Sequence, residues 1–404
     1  MLDDFLGRYR ALFRQPDVAW LLATALVTRL PMGSLSLAML LYARAMTASF
    51  ALAGLTVGVY LAAAAIVAPA LGRIVDRRGP RPVLIATGIA CPLALGGILF
   101  ADRLSLPVAG IVVLAAVAGG LAPPITVLTR TVWRYRFDDP DARRTAFALD
   151  TVLIEIAFTV GPMLVALLIA VASPKSAFAA AWSFMTISVP LFLASPALKY
   201  WRHEPGAERR LLGPLAEPRL LAVFGVTFLV LFAIGLLEVG YAGFATAAAM
   251  PAFAGVLIAV NSIGSGVGGL VYGGAKLASP LERQLPRFLL LLAIPLAAHA
   301  MTTSPSLLAV LALLAGLGIA PAMTTVSLLV SANAPSRYAT EAFTWSSTFI
   351  VSGLGAGNAV GGGIVERYGA AADFALAAAV AVAAAACALG VRQPPAQAAA
   401  GRQD

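Results

Sequence analysis

The 404 residues are 60% hydrophobic and only 12% charged, with a mean hydropathy of +0.90, where a water-soluble domain carries about a quarter of its residues charged. A soluble globular protein is excluded. The net charge of +9 does not mark a nucleic-acid binder, because the basic residues cluster between apolar runs, where anionic lipid and cytoplasmic retention of positive loops account for them.

The opening twenty residues carry charge throughout and no small-residue cleavage site, so they do not form a removable signal peptide. Phe5, Leu6, Tyr9 and Phe13 stand at helical spacing and fit a short interfacial helix as well as a frayed tail. Runs long enough to cross about 30 Å of hydrocarbon follow at 18–43, 50–71, 82–101, 106–128, 145–172 and 176–198. After the polar stretch 199–219, broken by Pro205, Gly206, Gly213, Pro214 and Pro218, six more run over 220–245, 251–274, 285–301, 307–332, 339–365 and 372–391. The expected protein is an all-α membrane protein with twelve transmembrane helices in two pseudo-symmetric halves of six. Its divisions are an N-terminal half (1–198), a cytoplasmic linker (199–219) and a C-terminal half with a short cytoplasmic tail (220–404). With both termini inside, 23 of the 28 basic residues fall on the cytoplasmic side, Arg44, Arg103, Lys175 and Arg367 fall outside, and Arg29 lies within a span.

The halves carry a weak internal repeat. Ala53-Gly54 and Gly72 align with Ala254-Gly255 and Gly273 at offset 201, and Gly120-Leu-Ala-Pro123 with Gly318-Ile-Ala-Pro321 at offset 198. Arg143 and Gly161 align with Arg337 and Gly355 at offset 194. Two parallel six-helix repeats are an architecture of secondary transporters.

Between the second and third runs stands Gly72-Arg-Ile-Val-Asp76-Arg77-Arg78-Gly79-Pro80-Arg81. Gly79 permits a sharp return and the arginines hold the loop in the cytoplasm. This segment resembles the GxxxDRxGxR loop of the major facilitator superfamily, with Pro80 replacing a usual basic residue. The resemblance implies a cytoplasmic gate of Gly72, Asp76, Arg77, Gly79 and Arg81, in which Asp76 accepts hydrogen bonds at the start of helix eleven. Glu341 would be a second anion there, either paired with Arg77 or Arg81 or simply exposed. A turn with topogenic arginines is the alternative. In the fifth run Ala157, Gly161 and Pro162 partly match a glycine-rich signature associated with exporters, or serve generic packing of helix five against a partner from the other half. The fourth run has no Arg or Lys, so a proton relay through the family's basic residue there is unsupported.

Ionisable residues at membrane depth are functional candidates by default. Arg29 and Glu155 each lie about eleven residues from an inner helix end, and the resemblance puts their helices side by side, so they are expected to pair. Glu238 in the outer half of helix seven is the expected carrier of a coupling proton, with Asp150 a second-rank candidate. Tyr60, Thr126, Tyr241, Asn261, Thr324, Trp345 and Asn358 complete the candidate cavity groups. Cys91 and Cys387 read as small core hydrophobes, and His203 and His299 have no second ligand at metal spacing, so no cofactor or metal is expected. An enzyme would need clustered catalytic groups at one face, and no GxxxxGK[ST] loop for ATP occurs. The expected function is secondary active transport of a small amphipathic organic molecule, as proton-coupled efflux by a monomer in the bacterial cell membrane. An uptake symporter and a non-transporting sensor on the same scaffold are the alternatives.

Overall fold

The computed structural model describes residues 2–202, 213–250, 253–275, 277 and 279–392. His203, most of the linker and the end of the tail lie outside the described residues, as do the side chains of Phe5 and Leu6. Among the described residues, the long regular elements are helices: α1 (Leu2–Phe13), α2 (Pro16–Thr47), α3 (Phe50–Arg78), α4 (Pro80–Leu99), α5 (Val108–Gly120), α6 (Ile125–Arg136), α7 (Pro140–Val171), α8 (Pro174–Ala194), α9 (Pro218–Ala247), α10 (Phe253–Gly274), α11 (Leu281–His299), α12 (Pro305–Asn333) and α13 (Ala339–Ala388). Their starts are written locally. Proline occupies the first turn of α2, α4, α8, α9 and α12, where its missing N–H costs nothing. Ser49, Ser173 and Ser304 cap α3, α8 and α12 by accepting from the amides of Leu52, Ser176 and Leu307.

Two boundaries depart from expectation. The run 106–128 is not one helix, because α5 ends at Gly120 and α6 starts at Ile125, with Pro123 and Pro124 unable to donate to the ladder between them. The last two runs lie in the single element α13, interrupted only at Gly369, whose φ of 82° suits a residue without a Cβ. Among the described residues, ten helical stretches, one of them spanning α5 and α6, are long and apolar enough to cross a membrane. Division of α13 at Gly369 and addition of α11, whose Glu282, Arg283 and Arg287 lower its hydropathy, bring the number to the expected twelve. Ile66, Leu93, Val171 and Ile294, each at least 70% exposed, stud the helix faces. In water they would be an aggregation liability, and in hydrocarbon they are simply the lipid side. Cys387 joins that exposed surface rather than the core, whereas Cys91 is buried as expected.

The chain forms two compact units. One comprises Arg10–Phe137 and Leu153–Ala207, the other Met1–Tyr9, Asp138–Val152 and Glu208–Asp404. In the first unit α2 packs on α3 and α8, α3 on α5, and α4 on α5 and α8. In the second α9 packs on α13, α10 on α12, and α11 on α12 and α13. The closest approaches repeat. A methyl at Gly33 would overlap the carbonyl of Ala157, and one at Gly119 that of Tyr60. In the second unit the same holds for Gly235 against Leu354 and Gly316 against Asn261. From Gly33 to Gly235 the offset is 202, and from Gly119 to Gly316 it is 197, within a few residues of the sequence repeat.

A polar cluster closes one end of the first unit. Arg136 at the end of α6 donates through Nε to Asp17 at 2.8 Å and through Nη2 to the other carboxylate oxygen at 3.2 Å, and also bonds the Gln15 side chain. The Tyr200 hydroxyl donates to Asp17 at 2.8 Å, and burial, then this bond, pushes the phenol's pKa up. Bidentate, partly buried and joined by a third donor, this pair is expected to matter more than a surface salt bridge. Asp17→Ala should destabilise the protein by about 1–3 kcal/mol, read as a lower thermal unfolding midpoint in detergent. An unchanged midpoint would mean that water screens the cluster.

Candidate functional site

Arg29 is wholly buried in the middle of α2, and its Nη1 donates to the Ala25 carbonyl at 3.1 Å. Thr28 donates to the same carbonyl at 3.2 Å. Pro31 leaves α2 unbroken, so this polar step is built into a continuous helix. One turn further on, Gly33 meets α7: added methyls at Gly161 would stand 2.6 Å from the Gly33 carbonyl carbon. Ala157 and Gly161 are both buried there and Pro162 half-buried. The small residues of helix five therefore contact helix one of their own half, where the sequence pointed to a partner from the other half. Gly33 has no counterpart in the signature that was read, so the partner could not be identified from α7 alone. Glu155 is half-buried two residues before Ala157, and Arg29 one turn before Gly33. As the first and fifth spans of an alternating chain, the two helices run the same way, so both residues stand on the same side of the crossing.

Asp150 is wholly buried in the part of α7 that belongs to the second unit. Around it the Thr145 hydroxyl donates to the Gly273 carbonyl at 2.7 Å, the Phe147 ring stacks on Phe343 at 6.1 Å, and Thr324 donates to Thr151 at 3.1 Å. Thr324 is thus a buried contact of α12 rather than an open cavity group. At the end of this segment Arg8 of α1 donates to Asp141 at 2.9 Å and to the Ala275 carbonyl at 2.8 Å, while Arg144 reaches the same carbonyl at 3.2 Å. Tyr9 donates to the Leu270 carbonyl at 2.5 Å, and burial pushes its phenol up to about 12, which keeps it a neutral donor. The sequence reading missed this network, since nothing local pairs residue 8 with residue 275.

The remaining candidates disperse. Tyr60 is buried in α3. The Thr126 hydroxyl lies 3.4 Å from the Met32 sulfur, and Asn261 donates to the Ala312 carbonyl at 2.9 Å. Trp345 lies 6.4 Å from Phe349 between ring centroids, with its indole nitrogen unpartnered, and Asn358 is half-buried with an unpartnered side-chain oxygen. Glu238 is half-buried in α9. Tyr241, three residues on, is buried and bonds His299 Nε2 at 3.2 Å, while His299 Nδ1 faces the Pro295 carbonyl at 2.6 Å. His299 is therefore a satisfied buried histidine, and Asp373, absent from the sequence candidates, is buried beside the same cluster.

At the loop after α3, Asp76 is 6% exposed whereas Arg77 and Arg81 are exposed, and Gly72 is buried. Gly79 takes a φ of 86° and faces the Trp201 ring, so a side chain there would be strained. Glu341 is wholly buried in the first turn of α13, against Gly213, which corrects the expectation of simple exposure. Burial of an anion at a helix start is favoured by the exposed amides and dipole of that turn.

The profile described as Major Facilitator Superfamily matches residues 21–281, well over half of the chain. No curated protein matches by sequence. Among solved structures, a bacterial homologue of the iron transporter ferroportin superposes with a TM-score of 0.75 at 14% identity, over 92% of this chain and 97% of its own. The human organic anion transporter MFSD10 superposes at 0.66 with 18% identity, over 92% and 98%. The Escherichia coli fucose:proton symporter gives 0.68 at 11% identity, over 92% and 98%. At these identities the likenesses establish the fold.

Proposed function

We propose that this chain, which belongs to the major facilitator superfamily, is a proton-driven exporter of a small amphipathic organic molecule, working as a monomer by alternating access. Both termini lie in the cytoplasm of a bacterial cell on this reading. The observation that carries it is that Arg29 and Asp150 are wholly buried within membrane helices. Ionisable groups at that depth are costly to keep and mark ion or substrate pathways. The partial exporter signature around Gly161 and Pro162 favours efflux over uptake, and the apolar surroundings suit an amphipathic molecule better than a sugar.

A screen of drug-like and antibiotic-like amphipathic compounds, in cells lacking their own exporters, tests the reading. Expression should lower accumulation of at least one compound, and a protonophore should restore it. Raised accumulation would instead identify an uptake symporter. No change in any compound would favour a sensor.

Burial of Asp76 among exposed arginines supports a gating role for that loop. Asp76→Asn should lower transport of the compound so identified by roughly fivefold or more, the effect of a bias of about 1 kcal/mol on a conformational equilibrium. Its abundance in the membrane should stay near that of the parent. Equal transport at matched abundance would remove the gate.

A further inference from the structure

The second half holds a buried carboxyl group that packing does not require. Asp373, in the first turns after the Gly369 break in α13, is wholly buried beside the Gly240 backbone, and among the described residues neither of its oxygens has a well-formed hydrogen bond. The carboxylate is wedged between two glycines: one oxygen lies 2.7 Å from where a Cβ of Gly240 on α9 would stand, the other 3.0 Å from that of Gly361 on α13. A Cβ at Gly240 would also meet the Phe374 ring at 2.5 Å, and one at Gly361 would press on the carboxylate.

The internal repeat supplies a comparison within the molecule. Phe178, stacked on Tyr42 at 5.3 Å, lies 196 residues before Phe374, which meets Tyr241 at 5.8 Å, so Asp373 takes the place that Ala177 holds in the first half. There Ala177 belongs to a buried hydrophobic cluster. One half thus fills this position with a methyl and the other with a carboxyl group, although an apolar solution exists.

Tyr241 of α9 and His299 of α11 meet the ring of Phe374, the residue after Asp373; the other titratable groups near in sequence are Glu238 on α9, half-buried, and Glu366, Arg367 and Tyr368 on α13, which are exposed. His299 and Tyr241 bond each other. An ionised carboxylate buried without ion pair or hydrogen bond is strongly unfavourable. A metal ion would need several further oxygen ligands, and the described residues contain no group of three or more His, Cys, Asp or Glu placed to hold one.

We propose that Asp373 is a proton-binding site, neutral in this conformation, and that it holds the coupling proton of the transport cycle. The coupling role rests on the proton-driven reading above; the binding site does not. One turn beyond Gly369, on that orientation, the niche opens towards the outer face, from which a proton would enter as the seam between α9 and α13 loosens.

The test uses the purified full-length protein in an ester-free detergent, with the proton as ligand. Infrared spectra at neutral pH should show a protonated carboxylic acid band that shifts with carbon-13 labelling of aspartate. It should vanish in Asp373→Asn and persist in Glu238→Gln. Should Asp373→Asn fail to fold, Asp373→Ala installs the residue that the first half carries at Ala177 and should fold without the band. No aspartic acid band in the parent, or one that survives either variant, overturns the site. A band that behaves as expected in a protein whose transport ignores a protonophore keeps the site and rejects only its coupling role.

Discussion

Gly33→Val is expected to abolish accumulation of folded protein, and Gly33→Ala to reduce it severely. Even the first methyl would overlap the carbonyl oxygen of Ala157, which belongs to a helix backbone and cannot rotate away as a side-chain tip could. The facing residue is Gly161, itself with a Cβ position 2.9 Å from the Gly33 Cα, so neither helix can yield without moving its whole backbone. Overpacking of ordinary cores costs about 1–3 kcal/mol, and a double backbone clash should cost at least the upper end of that range. In lipid there is little hydrophobic drive to compensate, since association rests on close packing of small residues. Gly58 is the control: nothing lies within 4 Å of its Cβ position. Gly58→Ala should be neutral or stabilising by up to about 1 kcal/mol, the helix-propensity difference. Size-exclusion chromatography and thermal unfolding in detergent distinguish the two. A monodisperse Gly33→Val protein with an unshifted midpoint would show that the contact is not tight in the membrane.

The spans and the repeat were legible because membrane length and small-residue spacing are one-dimensional signals. The Pro123-Pro124 pair was equally visible, yet prolines are tolerated inside membrane helices when neighbours satisfy the freed carbonyls, and only the three-dimensional arrangement decides between a kink and a break. The break between the last two spans was legible, since Glu366 and Arg367 interrupt the apolar runs, and only the φ of 82° at Gly369 within it needed the structure. Asp373 stood at the edge of the last run, where an acid ordinarily reaches interfacial water. Its burial follows from Gly240 and Gly361, which lie 133 and 12 residues away and carry no local mark of their purpose. His299 likewise lacked a metal partner in sequence because its partner is the Tyr241 hydroxyl. Of the two readings of Glu341, simple exposure fails because the turn at Gly213, far away in the chain, covers it. Resemblance could name the loop around Asp76, since that motif is contiguous. The contacts of α1 through Arg8 and Tyr9 belong to no motif, and chain distance hid them.

Arg29 and Glu155 are expected to be coupled, with the double change to Ala costing less than the sum of the single changes. Arg29 has no exposure at all, so its guanidinium must be neutralised within the membrane, and the carbonyl of Ala25, which accepts from it at 3.1 Å, is a dipole and not a counter-charge. The Gly33–Gly161 contact fixes the relative height of the two helices, with Arg29 and Glu155 both on the same side of it. Arg29→Ala alone would then leave Glu155 without its counter-charge, and Glu155→Ala would leave a buried cation, each at about 3–5 kcal/mol, the usual cost of breaking a buried pair from one side. Removal of both leaves two small apolar side chains in an apolar setting, so a coupling of roughly 1–3 kcal/mol should appear in a cycle of unfolding free energies. Glu155→Gln separates pairing from hydrogen bonding, because it keeps the shape and removes only the charge. If it costs as much as Glu155→Ala, the charge is what Arg29 requires. Additive single changes, or a Glu155→Gln protein as stable as the parent, would assign the neutralisation of Arg29 to another group and make Glu155 a lone acid of the first half.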